Sequence, residues 1–492
     1  MRRARQGLSV IVMIITFLCL SVQSGQAADG WISLFDGKTL DGWTASENKN
    51  SVKVQDGMIF CDGPRSHLFY SGSAENAEFK NFEFKADVMA RHGANSGIYI
   101  HTQYQEEGWP EKGYEIQVNN TQEPTGNYYE RKKTASLYAV RNMYKQLVQD
   151  DEWFTLHIIV MANHIMVKLN GMTVVDYVEP ENPSRPGNMQ GRLLSSGTFA
   201  IQCHDPGSKV YYKNIMVKPL PDDLPEDPSE FPVIDETYEK LLQLNAANFP
   251  IIDHHIHVKG GLSLEEALTK SQRVGIQYGI APSCGLGFPI TDDEGIYDFV
   301  NRMEGQPIFL GMQAEGREWV DIFSKEAIAR FDYVFSDALT FTDDEGRRTQ
   351  LWRPETVHIG DTQEFMEMYV DRIVSVLSDE PIDIFVNPTF LPEEIRSDYD
   401  QLWTESRMQR VINAAVEHDV AIEINDRYEI PSAEFITRAK EAGVKFSFGT
   451  NNADANYGNL DYCIRMMEEC GITTDDMFMP KPEGEKAIQV KR

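Results

Sequence analysis

Cysteine, histidine and positive charge are all scarce in this 492-residue chain, and each shortage removes a class of function. The six cysteines are scattered and show no Cys-x-x-Cys spacing, which argues against a zinc ribbon and against a disulfide framework. Cys61 and Cys203 are the pair a bridge would join, although free buried thiols suit so dispersed a set better. Lys and Arg number 46 against 76 Asp and Glu, a formal charge of −30. Phosphate recognition needs cationic patches, so nucleic acid is excluded as a partner. Long apolar runs are absent beyond residue 22, so nothing in the body of the chain should span a bilayer.

The beginning is different. Arg2, Arg3 and Arg5 precede an apolar run from Leu8 to Val22, and Gly25-Gln26-Ala27 offers small residues for cleavage. This pattern predicts a signal peptide over 1–27, export to a bacterial periplasm, and a mature chain starting near Ala28. Leu18 stands where a small residue would precede a lipidated Cys19, which argues against an anchor.

Two periodicities divide the remainder. Through 28–220 the pattern alternates: Phe82, Phe84, Ala86 and Val88 share one face of a strand, and Glu83, Lys85 and Asp87 the other. Asn170-Gly171 joins two such runs, a strong hairpin signal. Many short strands and little helix predict an all-β two-sheet sandwich. Residues 221–236, rich in proline and acid, read as an extended linker. From 237 to 492 strands alternate with amphipathic helices. Seven apolar strand candidates (249–257, 276–281, 307–314, 332–337, 382–387, 420–425 and 444–449) predict an α/β parallel barrel with its site at the strand ends.

Histidine is rare, with 11 in the chain, yet Asp253-His254-His255-Ile256-His257 gathers three. On a strand, Asp253, His255 and His257 would share a face and make a partial metal site. Glu315, Asn387, Glu423 and Asn451 fall at other strand ends. In the sandwich, alternation puts Glu115 and Gln117 on one face of Tyr114–Val118. It puts Gln202 and His204 on one face of the next candidate strand, from Phe199. A carboxylate and an imidazole on a concave sheet, beside amides and Tyr138, could hold a sugar and move a proton.

Gly30-Trp31-Ile32-Ser33-Leu34-Phe35-Asp36-Gly37 through Gly42-Trp43 resembles the opening of the 3-keto-disaccharide hydrolase family, also described as 3-keto-glucoside 1,2-lyases. The likeness continues in order through Asn95-Ser96-Gly97-Ile98, Gly113-Tyr114-Glu115-Ile116-Gln117, Leu137-Tyr138, Ile201-Gln202-Cys203-His204 and Tyr212-Lys213-Asn214-Ile215. It implies a concanavalin-like jelly roll acting on 3-keto-sugars, in which a C3 ketone acidifies the C2 hydrogen and permits elimination. Glu115 and His204 are the expected acid–base pair, with Asn95, His101, Gln117, Tyr138 and Gln202 as sugar contacts. The chain departs from the family at three places: His101 replaces an arginine, Asn119-Asn120 an aspartate, and Ala135-Ser136 a glycine.

Asp253-x-His255-x-His257 with Ser263-Leu264-Glu265-Glu266 is similar to the start of polymerase-and-histidinol-phosphatase (PHP) barrels, and seven strands fit that family. Its later ligands are eroded to Ser336-Asp337-Ala338, Asn387-Pro388 and Thr450-Asn451-Asn452. The resemblance implies at most one divalent metal, on His255, His257 and Glu315 with Asp253 or Asp337 beside them. The expected function is an exported enzyme cleaving 3-keto-glycosides in the jelly roll. The alternatives are a sugar-binding sandwich serving a metal-dependent hydrolase barrel, and a glycan-binding protein without turnover.

Overall fold

The computed structural model describes residues 29–122, 128–185, 187–343 and 345–491. The leader expected over 1–27 lies outside them. No helix among the described residues is long and apolar enough to cross a membrane.

The first half is two antiparallel sheets face to face. One has eight strands in the order 172–178, 164–169, 154–161, 82–90, 210–219, 58–61, 52–55, with 32–33 also pairing to 210–219. The other has five, ordered 43–45, 66–70, 198–203, 95–102, 114–119. Strand Phe82–Ala90 shows why they stack: every second side chain is buried and those between are half-buried, the signature of one face sealed in a core. Phe199 anchors that core, with ring centroids 4.7 Å from Phe79 and Phe84 and 4.9 Å from Phe82. At the 164–178 hairpin Asn170 (φ 50°) and Gly171 (φ 88°) supply the two left-handed positions that its tight turn demands.

The second half is a ring of seven parallel strands, 252–256, 277–280, 309–315, 333–336, 384–385, 421–425 and 446–449. Pairing of 277–280 with 309–315 closes it, and a short extra strand, 283–285, lies beside 309–315. All seven expected strands are present. Helix Leu264–Val274 opens on a capping box between Ser263 and Glu266 and ends at Gly275 in the left-handed region, so both of its termini have their free backbone groups answered.

Between 219 and the first barrel strand the chain does more than link. After a single turn at Pro228–Glu230, helix Glu236–Ala246 buries Tyr238 and Leu242 in the sandwich core. Its Leu241 and Leu244 enter the barrel core. One helix therefore belongs to both halves. Cys61, Cys203, Cys284 and Cys463 are free and buried.

Candidate active site

The five-stranded sheet builds a site on the face turned away from the core. Tyr114, Ile116 and Val118 point into the sandwich and are fully buried there. Glu115 and Gln117 therefore face the other way, opposite Tyr99 and Gly97 on the neighbouring strand. Gly97 matters sterically, because a Cβ there would stand 2.7 Å from Glu115 Oε1. The bare backbone lets the carboxylate lie across the sheet.

Above this floor is a cavity of about 970 Å³, lined among others by Asn95, Glu115, Gln117, Tyr138, Gln202 and His204. Glu115 receives hydrogen bonds from Tyr99 Oη (2.9 Å), Gln202 Nε2 (2.8 Å) and Arg192 Nη2 (3.1 Å). Every one of these partners is a donor, so the carboxylate is an acceptor with nothing to give, and one of its lone-pair directions is left over. Burial opposes the charge on Arg192, but Glu115, Tyr99 and Tyr138 together outweigh it and raise the guanidinium's pKa. Gln117 Nε2 donates to Asn95 Oδ1 at 2.7 Å, which fixes both amides.

His204 forms the wall. Its Nδ1 bonds the carboxylate of Asp205, which also accepts from Ser208 Oγ at 3.1 Å, leaving Nε2 as the nitrogen for a ligand. Burial works against the Asp205 charge, yet the His204 contact and the Ser208 hydroxyl hold its carboxyl below the ordinary range. The imidazole lies near Trp109 (centroids 5.0 Å apart) and Tyr128 (6.0 Å, interplanar 15°). Apolar rings beside polar groups suit the mixed faces of a sugar. Tyr138 and Tyr128 both donate to Glu130 Oε2, at 3.1 and 3.0 Å. Burial first, then the Glu130 charge, pushes both phenols well above the usual tyrosine range.

One expected contact is corrected. His101 does not reach the cavity. The chain turns left-handed there (φ 53°), so the ring leaves the concave row. It packs edge-on to Phe82, with Nε2 on Lys80 O (2.8 Å) and Nδ1 accepting from Ser195 N (3.2 Å). Burial lowers its pKa to about 4. A cation does line the cavity, Arg192, from a different segment. Asn119 and Asn120 do not line the cavity; they bind Glu130 O, Lys132 O and Thr134 Oγ1 and shape the loop behind it. Ala135 sits at φ 74°, a conformation that glycine adopts more readily.

Arg192, Asp205, Glu130, Trp109 and Tyr128 were not legible as site residues. All five lie outside the named strands, where no period signals which way a side chain faces. Tyr99 was findable, since alternation along Asn95–Thr102 aligns it with Asn95 and Gly97.

In the barrel the expected metal set is not assembled. Among the described residues, no group of three or more His, Cys, Asp or Glu side chains is placed to hold a metal ion. The register shifts between Asp253 and Ile256, which breaks strict alternation. The Asp253 carboxylate is occupied by Thr450 N (3.0 Å), Thr450 Oγ1 and His255 N (3.1 Å). Asp337 is held by Leu339 N (2.9 Å) and Asn387 Nδ2 (3.0 Å), and Glu315 by Thr340 Oγ1 (3.4 Å). His255 Nδ1 bonds Glu423 Oε1 at 2.6 Å and His257 Nδ1 bonds Ala281 O at 2.8 Å. Both Nε2 atoms are buried without a partner. Two imidazoles without a third ligand make an incomplete set for a divalent cation.

Comparison with known proteins adds the following. Over 87 residues the chain is 34% identical to a 3-keto-disaccharide hydrolase of Bacteroides thetaiotaomicron, a stretch covering 16% of this chain and 30% of that protein. The chain thus spans under a third of the relative's length in that match. A solved structure from Parabacteroides distasonis described as a glycosyl hydrolase is 23% identical, with 39% of this chain and 95% of the other covered at a TM-score of 0.35. The carbohydrate-binding module CBM66 from Bacillus subtilis is 13% identical, with 36% and 95% covered at a TM-score of 0.26. Residues 30–218, the sandwich and none of the barrel, match the model of the 3-keto-alpha-glucoside-1,2-lyase-like domain.

Proposed function

We propose that this chain is a carbohydrate-active enzyme that cleaves 3-keto-glycosides by elimination in the sandwich cavity. The observation that carries this reading is the pairing, within one cavity, of an acceptor-only carboxylate and an imidazole backed by a second carboxylate. Glu115 acts as the base. It takes the C2 proton, which the C3 ketone has made acidic, and the C2–H electron pair forms the C1=C2 bond. The C1–O bond breaks, and its oxygen takes a proton from the His204 imidazolium. Asp205 orients that ring and stabilises its charge, as carboxylate partners of catalytic histidines do. Water adding back across the double bond would complete net hydrolysis. Gln117, Asn95 and Gln202 supply amide contacts to sugar hydroxyls, while Trp109 and Tyr128 offer ring faces. In this reading the leader over 1–27 makes the enzyme an exported one.

The test uses the full chain and a synthetic 3-keto-glucoside, followed by chromatography for free aglycone and the 3-keto-2-hydroxyglucal. Both are expected. Calorimetric binding of the substrate with neither product formed would reduce the sandwich to a sugar-binding module.

A further inference from the structure

Tyr128 and Tyr138, which line the cavity, come from an irregular stretch, residues 128–148, that contains none of the named strands. Its few backbone bridges join Leu137 to Ile116 and Arg141. Thr134, Ala135 and Tyr138 donate their backbone N–H groups to carbonyls of 115–119, and the barrel half answers other groups of the segment. Asn142 N donates to Asn245 Oδ1 (3.1 Å), Tyr144 N to Gln277 Oε1 (2.7 Å), and Tyr144 Oη to Phe249 O (2.6 Å). A further clamp from the barrel half is Asn248. It sits just past the shared helix at φ 60°, a left-handed position that asparagine tolerates well. Its Nδ2 donates to Tyr129 O at 3.2 Å, and its Oδ1 accepts from Lys132 Nζ at 3.0 Å.

Lys132 is buried, with 3% of its side chain exposed, and its ammonium meets Glu130 Oε1 at 3.1 Å. Glu130, 1% exposed in its side chain, uses its other oxygen to receive the Tyr138 and Tyr128 hydroxyls. The Lys132 ammonium also stands 4.3 Å from the centre of the Tyr138 ring. A continuous chain thus runs from a barrel side chain, through a buried ion pair, to two phenols that line the cavity.

We propose that Asn248 is a positioning residue for the sandwich site, holding the Lys132–Glu130 pair so that the Tyr138 and Tyr128 hydroxyls keep their donors turned inward and present lone pairs to the sugar. The inference rests on the sandwich cavity being the site of turnover. It gives the barrel a role that needs no chemistry of its own, since a barrel side chain braces residues behind the wall of its neighbour's cavity. A buried ammonium deprived of one acceptor is less well held in its charged form, because burial already disfavours that form. The charged groups around Lys132 are Glu130 and Glu115, which favour the ammonium, and Arg192, which opposes it. Lys133 faces Glu130 from the same loop, and Arg131 is turned to Asp475.

The experiment compares the full chain with Asn248→Ala and Asn248→Asp. In Asn248→Ala, kcat on the 3-keto-glucoside should fall about tenfold with KM changed less. On a nitrophenyl 3-keto-glucoside, whose aglycone departs without the His204 proton, the alkaline limb of the variant's pH profile should move to lower pH, because Lys132 loses its proton sooner. Asn248→Asp, which keeps the acceptor, should return that limb to or above its original position. A merely structural lesion would lower activity equally at every pH and would not be rescued. Hydrogen exchange gives a second readout that needs no turnover: Asn248→Ala should speed exchange in 129–138 while 82–90 and the barrel strands stay protected. An unshifted pH limb together with unchanged exchange in 129–138 overturns the proposal. If the wild-type chain itself yields no product, the elimination reading fails instead, and the exchange result alone then decides whether Asn248 holds this wall.

Discussion

Replacing Glu115 by glutamine is expected to leave the protein folded and to cut turnover of a 3-keto-glucoside by roughly 10²–10⁴-fold, the range for loss of a positioned base. The fold should survive because glutamine has the same shape and the neighbourhood can adapt. Gln202 Oε1 is buried without a partner, so a rotated Gln202 amide can accept from the new NH2 group. Tyr99 and Arg192 can still donate to the remaining oxygen. The cost is that Arg192 loses its anionic partner, on the order of 1–3 kcal/mol for a buried donor left poorly matched. Thermal unfolding and a rate assay on one preparation separate the two effects. Wild-type turnover in a folded Glu115→Gln protein would force the base to be sought elsewhere in the cavity.

The second large effect concerns His204→Gln, and its size should depend on the leaving group. If His204 protonates the departing oxygen, a poor leaving group such as an alkyl alcohol needs that proton. The loss should then reach roughly 10²–10⁴-fold. A nitrophenolate departs without protonation, so the same variant should retain most of its rate on a nitrophenyl 3-keto-glucoside. Glu115→Gln should be equally slow on both substrates, because C2 deprotonation is common to them. The contrast between the two variants assigns the roles without a pKa for either group. Equal losses on both substrates for His204→Gln would remove it as the acid and leave it a binding residue beside Trp109 and Tyr128.

Among the described residues the barrel contributes no side chain to the lining of the sandwich cavity. Its polar mouth concentrates buried groups, among them His255, His257, Glu315, Asp337 and Glu423, yet most are spent on one another. Glu423 binds His255 and the backbone of Asn387, and Asn387 binds Asp337. Amide donors satisfy two of these acids: Asn387 Nδ2 donates to Asp337 and Asn425 Nδ2 to Glu423.

Sequence alone determined whatever repeats with a period. The alternation through 82–88 set the inward face of the sandwich, Asn170-Gly171 set its hairpin, and seven apolar runs set the barrel. The facing of Glu115, Gln117 and Gln202 into one hollow follows from the same rule, because a strand leaves a side chain only two sides to choose between. Only the tertiary structure decided what came from aperiodic chain. Arg192 reaches Glu115 across 77 positions, Asp205 turns beside His204 in a loop, and Asn248 crosses 116 positions to Lys132. Local patterns carry no information about such distant encounters. For the same reason a left-handed turn at His101 and a register shift after Asp253 could redirect side chains that strict alternation had placed.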